Sequence, residues 1–307
     1  MNTILALFQM KGVGRKTIWK LKDELETCGN ELSDIRNLPL PVNVTMEEWR
    51  RAVEQAKYIE EECENADVHI CTFKDKEFPG RFRGNIDAPV LVYYKGDIHK
   101  IANPSVAVIG TRKPSEQGRK VAKNLGYVLG RDHYSVISGL AVGCDEYAHR
   151  GCLDADGYTV AVLPSGIKQI YPKSNNGLAE KIVERGGCLI SEYSPNQSAN
   201  KAFFVERDRI QSMLSDGVLV VEAEKNSGTM HTVEYAHKYN KAIGCYRNMD
   251  YIVEMPSGNQ YLLEQMSALG VGNNQDLDMF KKRMEEYVNR LNTSYRQMSL
   301  FEEMNDN

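Results

Sequence analysis

Short apolar runs alternate with helical segments between Ser105 and Arg247. Six runs have the length and β-rich composition of strands: SVAVIG, YSVISG, TVAVLP, CLISEY, GVLVVEA and KAIGCY. Helical segments separate them near residues 115–131, 144–154, 176–185, 204–215 and 229–240. Because continuous apolar runs of this kind bury both faces of a strand, the pattern predicts a doubly wound α/β fold with a mostly parallel sheet.

The regions on either side of these runs differ in character. Residues 4–62 are predicted to be mostly helical with a break at LPLPVN, and residues 276–294 suit one helix. Between them, residues 73–97 read as a compact connector with one short strand, VLVYY. These shifts predict a small helical domain at 1–68, the connector with the α/β domain at 69–250, and a C-terminal helix with a flexible tail at 251–307.

Composition and charge refine this picture. The chain has 307 residues, 42% hydrophobic and 26% charged, which suits a globular protein of about two domains. The formal charge of −4 argues against a polycationic nucleic-acid coat, but it averages over unlike segments. Residues 1–22 carry five basic and no acidic side chains, whereas residues 23–68 carry 13 acidic and 4 basic ones, as an exposed helix face would. A local basic groove is therefore compatible with the total charge.

Apolar runs and cysteine spacing predict where the protein is located in the cell and whether it binds a metal. No apolar run approaches the roughly 20 residues that a membrane helix needs, and the N-terminus lacks the order of a secretory signal. We therefore expect a cytoplasmic protein without a membrane partner. Seven cysteines without a Cys-x-x-Cys spacing predict reduced core thiols, and no metal site is expected.

Small residues follow nearly every predicted strand, and they suggest an anionic ligand. In open α/β sheets the ligand lies outside the carboxyl ends of the strands, where small residues let backbone N–H groups approach a phosphate. Glycine and serine are also ordinary turn and cap residues, so several such loops carry more weight than one. The first loop lacks a dinucleotide fingerprint, and no P-loop occurs, so we expect no cofactor. The candidate phosphate contacts are Gly110, Ser138, Gly139, Ser227 and Gly228.

A Gly-x-Gly turn lies between the first two helical stretches. Gly12 and Gly14 precede the basic residues Arg15 and Lys16. This is the helix-hairpin-helix arrangement, in which backbone N–H groups and lysines contact phosphates. A plain turn with solvated lysines fits the sequence equally well, so Gly12, Gly14 and Lys16 are candidate contacts only.

Seven blocks follow one another through the α/β region in a distinctive order. They are Gly110-Thr111-Arg112, Ser138 to Asp145 with Ala148-His149, Ile170-Tyr171-Pro172, Ser191-Glu192-Tyr193, Phe204 with Arg207 to Ile210, Leu214-Ser215-Asp216, and Val221 to Ala223 with Ser227-Gly228-Thr229. Their order, spacing and number resemble the DprA/Smf DNA-processing family, from about Phe73 to Arg247. The resemblance implies a Rossmann-like domain in a homodimer that binds and protects single-stranded DNA. It also implies that the protein loads the RecA recombinase in natural transformation and recombination, and that it is not an enzyme.

The resemblance also assigns DNA contacts. An arginine or lysine would follow the phosphates, and an aromatic ring would stack on a base of any identity. Phe204 could instead belong to the core, and the arginines could pair with neighbouring acids. Asp208 departs from the family's usual Arg-Asn-Arg and adds a negative charge at the expected phosphate site. The implied contacts are Arg112, Lys201, Phe204, Arg207 and Arg209, and Lys113 and Lys173 add positive charge to the expected groove.

The last segment contains a second recognisable peptide. Gln297, Leu300 and Phe301 resemble the Gln-x-Ser/Asp-Leu-Phe peptide by which many bacterial replication and repair proteins bind the DNA sliding clamp. Docking of such a peptide requires a flexible, exposed segment. In the alternative, Leu300 and Phe301 fold back onto the α/β domain. Residues 297–301 are therefore a candidate clamp-binding peptide.

Two other functions stay open from the sequence. The superfamily resembles phosphoribohydrolases of nucleoside monophosphates, which carry Pro-Gly-Gly-x-Gly-Thr-x-x-Glu. Here no Pro-Gly-Gly precedes Gly228-Thr229, and Glu234 lies two positions too late, which disfavours hydrolysis. A nucleotide- or DNA-sensing protein of a defence or mobile-element system is the other alternative, and Asp208 leaves room for it.

Overall fold

The structure is a computed structural model. The structure describes the backbone of residues 2–29, 31–102, 104–248 and 255–305, and side chains through residue 289. The chain forms two compact units: unit 1 comprises residues 1–102 and 160–210, and unit 2 comprises residues 103–159 and 211–307. The two units interleave along the chain, so they divide it differently from the predicted boundaries at residues 68 and 250. Those boundaries stay a prediction.

Helices and strands alternate through most of the described chain. The helices are α1 (Thr3–Phe8), α2 (Arg15–Lys20), α3 (Lys22–Thr27), α4 (Leu32–Arg36), α5 (Met46–Asn65), α6 (Glu116–Arg131), α7 (Cys144–Asp154), α8 (Asn176–Glu184), α9 (Lys201–Leu214), α10 (Thr229–Lys238), α11 (Ser257–Gln265) and α12 (Asn274–Asn305). The strands are β1 (His69–Thr72), β2 (Leu91–Gly96), β3 (Ser105–Ile109), β4 (Ser135–Ser138), β5 (Thr159–Leu163), β6 (Cys188–Ser191), β7 (Gly217–Val220), β8 (Ala242–Tyr246) and β9 (Leu269–Val271). All six predicted α/β strands and all five helices between them are present, which confirms the predicted fold class.

Unit 1 begins with the predicted helical segment, and its break at LPLPVN lies between α4 and α5. The side chain of Asn2 accepts a hydrogen bond from the N–H of Leu5 and so caps α1. Thr45 and Glu48 form a reciprocal capping box at the start of α5. The buried face of α5 carries Trp49, Ala52, Ala56, Ile59 and Cys63, and most of its acidic side chains are exposed. This agrees with the interpretation of the acidic run as a solvated helix face.

The strands of unit 1 have the order β1, β2, β6, β5. β1 and β2 are antiparallel, β2 and β6 are antiparallel, and β5 and β6 are parallel. The predicted strand VLVYY corresponds to β2, whereas β1 was not predicted. Two of the three strand pairings of unit 1 are thus antiparallel, and such mixed pairing is common in α/β proteins.

Unit 2 has the strand order β4, β3, β7, β8, β9, and β3 pairs in parallel with β4 and β7, as β8 does with β7 and β9. Residues Val106, Val108, Leu219 and Val221 lie in one buried cluster with side chains of α6, α7 and α12. The alternate residues of the same strands, such as Ala107 and Val218, are equally buried and face the other way. Helix α10 packs against β7 and β8. Because both faces of these strands are buried, their sequences are continuous apolar runs.

Helices α6 and α7 approach each other closely, because glycines stand where they meet. A Cβ atom on Gly126 would lie 2.1 Å from the carbonyl oxygen of Ala148, and one on Gly151 would lie 1.9 Å from that of Lys123. Both obstacles are backbone atoms, which cannot rotate out of the way. The spacing of these two helices therefore depends on residues without a side chain.

Helix α12 is longer than the sequence predicted. The helical backbone continues from Asn274 to Asn305, past the predicted end at residue 294. Residues 297–301 therefore have helical backbone where the sequence suggested a flexible peptide. Among the described residues, no helix combines the length and apolar character needed to cross a bilayer.

The cysteines lie mainly in the core, as predicted. Six of the seven are buried, Cys28 is partly exposed, and all seven are free thiols. Burial raises the pKa of five of these thiols to about 12: Cys63, Cys71, Cys144, Cys152 and Cys245.

We predict that Gly126→Ala destabilises the protein. The added methyl group must push α7 away from α6, and such overpacking costs about 1–3 kcal/mol. The free energy of unfolding from urea titration measures the effect. Gly177→Ala is the matched control, because Gly177 also lies in a helix but no atom lies within 4 Å of the position that its Cβ would take. It should leave the free energy of unfolding unchanged or raise it by up to about 1 kcal/mol, and equal effects of the two substitutions would contradict the packing argument.

Candidate nucleic-acid interface

The loop after β3 is fixed by its neighbours in unit 2. The N–H of Thr111 donates to the carbonyl of Glu222 at 2.7 Å, and the N–H of Cys144 donates to the carbonyl of Thr111 at 3.2 Å. A Cβ on Gly110 would lie 2.6 Å from the sulfur of Cys144. Packing against these neighbours therefore requires glycine at position 110. Arg112 and Lys113, which follow in the same loop, are exposed.

A carboxylate occupies the start of α6. Glu222 accepts hydrogen bonds from both the N–H, at 2.8 Å, and the hydroxyl of Ser115. The hydroxyl oxygen of Ser115 in turn accepts from the N–H of Gly118 at 2.9 Å and caps the helix. An acidic group is favourable at a helix N-terminus, where backbone N–H groups point outward. The chain thus supplies its own anion at this helix end.

The loop after β4 also uses its polar groups internally. The hydroxyl of Ser138 is buried and donates to the carbonyl of Val108 at 2.7 Å. The N–H of Gly139 donates to the carboxylate of Asp145 at 3.1 Å, and Asp145 is buried in the first turn of α7. These two predicted contacts therefore hold the loop in its conformation, and their role toward a phosphate stays a prediction.

The loop after β7 is built differently. The hydroxyl oxygen of Ser227 is buried, and no hydrogen-bond partner is found for it among the described residues. Gly228 is exposed at the N-cap of α10, and no atom lies within 4 Å of a Cβ built on it. Of these three loops of unit 2, this one leaves a small residue open at the start of a helix. It is the loop that best fits backbone contact with an anion.

In unit 1, Arg209 of α9 is a buried charge with a full set of partners. It is 1% exposed. Its guanidinium donates to the carbonyl of Asp87, to the carboxylate of Glu192, and at 3.2 Å to Glu206. Burial lowers the pKa of Arg209, but the charges and hydrogen bonds of Glu192 and Glu206 outweigh burial and raise it. Arg209 is therefore charged and held inside unit 1.

Arg15 at the start of α2 joins the same cluster. Its guanidinium lies 3.3 Å from a carboxylate oxygen of Glu206 and 3.5 Å from one of Glu192. Burial alone would raise the pKa of Glu206. The hydrogen bond from Arg209 and the charges of both arginines have the larger combined effect, so the pKa of Glu206 is lowered. Two cations and two carboxylates meet here, and their formal charges cancel.

Arg207 and Asp208 neutralise each other. Arg207 is 5% exposed and Asp208 is 7% exposed. The Nε–H of Arg207 donates to Asp208 at 3.1 Å, and its Nη1 donates to the carbonyl of Val162 at 2.9 Å. The negative charge that departs from the family pattern is therefore paired within the fold. The phosphate contacts predicted for Arg207 and Arg209 stay predictions, and the burial of both guanidinium groups does not support them.

The first turn of α9 presents different chemistry. Lys201 is exposed, as is Lys173 in the segment before α8, and neither ammonium lies in an ion pair with any described residue. The ring of Phe204 contacts the ring of Tyr171 edge-on, with centroids 5.4 Å apart. Phe203 stacks on Tyr193 at 3.9 Å, so the two adjacent phenylalanines have different neighbours.

Tyr171 is an aromatic neighbour of the candidate contact Phe204 that the sequence did not single out. It stood only within the block Ile170-Tyr171-Pro172. Its aromatic type, in a loop that follows a predicted strand, is a signal that could have marked it. The structure brings it next to Phe204, 33 positions later in the chain.

The N-terminal hairpin has the predicted turn. Gly12 adopts a φ of +85°, in the left-handed region that favours glycine, and Gly14 is the N-cap of α2. Lys16 is exposed. The glycine turn between α1 and α2 is thus present, while the helix-hairpin-helix motif and contact of Gly12, Gly14 and Lys16 with phosphate stay predictions. The side chains of Gln297, Leu300 and Phe301 lie outside the described residues.

Comparisons with known proteins give a matching family and a similar curated relative. The family described as DNA recombination-mediator protein A matches residues 69–281. Protein Smf of Synechocystis sp. is 30% identical over 250 residues, which cover 78% of this chain and 62% of that protein. The chain thus spans less than two thirds of that relative's length.

Two solved structures are similar in fold and sequence. DNA processing protein A of Streptococcus pneumoniae aligns with a TM-score of 0.66 and 28% identity, over 86% of this chain and 97% of that chain. DNA processing protein A of Helicobacter pylori aligns with a TM-score of 0.61 and 28% identity, over 71% of this chain and 97% of that chain. The Helicobacter protein was solved for its single-stranded DNA binding mode.

We predict that Arg209→Met destabilises the protein by about 3 kcal/mol. The substitution leaves the Glu192 carboxylate, whose side chain is 9% exposed, without its closest cation, and breaking such a pair is costly. Urea denaturation measures the loss. Lys201→Met, in the exposed first turn of the same helix, should change the free energy of unfolding by less than about 0.5 kcal/mol. Wild-type stability of the Arg209 variant would show that the guanidinium does not support the fold.

Proposed function

Because the chain belongs to the DNA recombination-mediator protein A family, the DprA/Smf family that its motifs resemble, we propose that it binds single-stranded DNA without sequence preference. The observation that carries the proposal lies in unit 1: the exposed Lys201 stands three residues before Phe204, whose ring contacts Tyr171, and the exposed Lys173 follows Tyr171 by two residues. Basic groups that follow the phosphates, combined with a ring on which a base stacks, are what sequence-independent binding of single strands requires. The binding mode studied in the Helicobacter relative supports the same substrate class.

The proposal gives the predicted residues two different roles. Lys173, Lys201 and Phe204 in unit 1 contact the strand directly. In unit 2, Arg112 and Lys113 contact phosphates through their exposed side chains, and the open turn at Ser227 and Gly228 does so through its backbone. Arg207 and Arg209 act as positioning residues, because their guanidinium groups are buried among carbonyls and carboxylates.

The partners follow from the family resemblance and belong to the same proposal. A homodimer of this chain would protect the strand and load the RecA recombinase onto it, in the cytoplasm and without catalytic turnover. Residues 297–301 of α12 would dock on the DNA sliding clamp. The hairpin residues Gly12, Gly14 and Lys16 would add phosphate contacts of their own.

We predict that affinity for a dT oligomer falls steeply as the salt concentration rises and depends on the exposed basic side chains. Lys201→Ala or Arg112→Ala should each weaken binding roughly 3- to 10-fold, and each should reduce the slope of log K against log salt by about 0.7, because one phosphate contact is lost. Fluorescence anisotropy over a salt series measures both quantities.

Lys57→Ala is the matched control, since Lys57 is an exposed lysine on the acidic helix α5. It should leave affinity and slope unchanged. Tight binding by the wild type that neither Lys201→Ala nor Arg112→Ala weakens would overturn the assignment of the contacts. Failure of the wild type to bind the oligomer would overturn the proposed function.

We predict that deletion of residues 297–301 abolishes retention on immobilised sliding clamp. The Leu and Phe anchors of the peptide would be gone, while affinity for the dT oligomer should be unchanged because the α/β units are intact. A pull-down with purified clamp measures retention. Equal retention of the deleted and full-length chains would reject the clamp contact.

A further inference from the structure

Tyr171 and Phe204 form an aromatic pair in unit 1 that the proposed contacts do not fully use. Their ring centroids are 5.4 Å apart and their planes are inclined at 78°, which is a favourable edge-to-face arrangement. Tyr171 lies in the segment between β5 and α8, and Phe204 lies in the first turn of α9. Two segments distant in the chain thus hold two rings at nearly a right angle to one another.

The exposure of Tyr171 is hard to explain by packing. Its side chain is among the most exposed large apolar groups of the described residues, with 46% of the residue's surface accessible. A tyrosine placed for core packing would bury most of its ring, since burial of apolar surface is what stabilises it. The neighbouring pair illustrates the contrast, because Phe203 and Tyr193 stack face to face at 3.9 Å and burial raises the pKa of the Tyr193 hydroxyl.

Positive charge lies on both sides of the pair in sequence. Lys173 follows Tyr171 by two residues and Lys201 precedes Phe204 by three, and both are exposed. Neither takes part in an ion pair with the described residues, whereas the nearby Lys168 pairs with Glu62 at 2.9 Å. Both ammonium groups are therefore accessible to an outside anion, within two and three positions in sequence of the two rings.

We propose that Tyr171 is a base-stacking residue for single-stranded nucleic acid. Its exposed ring stacks on one base, its edge-to-face contact with Phe204 orients that ring, and Lys173 and Lys201 contact the flanking phosphates. Every base has a π-face, so this contact adds affinity without selecting a sequence. The inference rests on the proposed function and adds to it a residue and a stacking mode.

Substitution of Tyr171 in the full chain tests the proposal. Tyr171→Ala should weaken binding to a dT oligomer roughly 5- to 150-fold, the range for loss of one base–aromatic stack. The slope of log K against log salt should not change, because no charge is removed. Tyr171→Phe retains the ring and should bind within about two-fold of the wild type. Tyr58→Ala, which removes a comparably exposed tyrosine from α5, should have no effect.

Photocrosslinking of the wild-type chain tests the contact without any substitution. An oligomer that carries 5-iododeoxyuridine should crosslink to Tyr171, and mass spectrometry should find the adduct on tryptic peptide 169–173. A change in folding cannot produce this signal. Wild-type affinity of Tyr171→Ala together with no adduct on that peptide would overturn the stacking role while leaving DNA binding intact. No binding of the oligomer by the wild type would instead overturn the proposed function.

Discussion

The buried guanidinium of Arg209 is the constraint on which unit 1 depends. A cation withdrawn from water is tolerated only where hydrogen bonds and opposite charge replace the lost hydration. Arg209 finds them on three separate segments: the connector at Asp87, the end of β6 at Glu192, and its own helix at Glu206. Its geometry leaves few ways to place these segments, so it fixes the position of α9.

The exposure of α9 changes along its length. Lys201 in the first turn is exposed and Phe204 is partly exposed, whereas every residue from Arg207 to the end of the helix is buried. Arg209 therefore anchors the buried part of α9, and its first turn carries Lys201 and Phe204 at accessible surface.

Much of the fold could be predicted from the sequence, but the roles of the charged residues could not. Strands buried on both faces leave a continuous apolar signal, which is why β3 to β8 were found. β1 and β9 were missed because they are only partly buried, so they leave no continuous apolar run. Arg209 was expected at the surface, as arginines usually are. Its partner Asp87 lies 122 positions away in the chain, and no local pattern could reveal that contact. Likewise, Gly110 and Gly228 look alike in sequence, yet only contacts with Cys144 and Glu222 show that the first is required by packing.

The burial of the cysteines determines how the folded chain responds to thiol reagents. The thiolate is the reactive form, and a thiol whose pKa is raised by burial is both inaccessible and protonated at neutral pH. Only Cys28 among the seven is partly exposed. The number of thiols that react per chain therefore reports whether the core is closed. A cysteine introduced in the exposed first turn of α9 would face little competition for a label from the six buried ones.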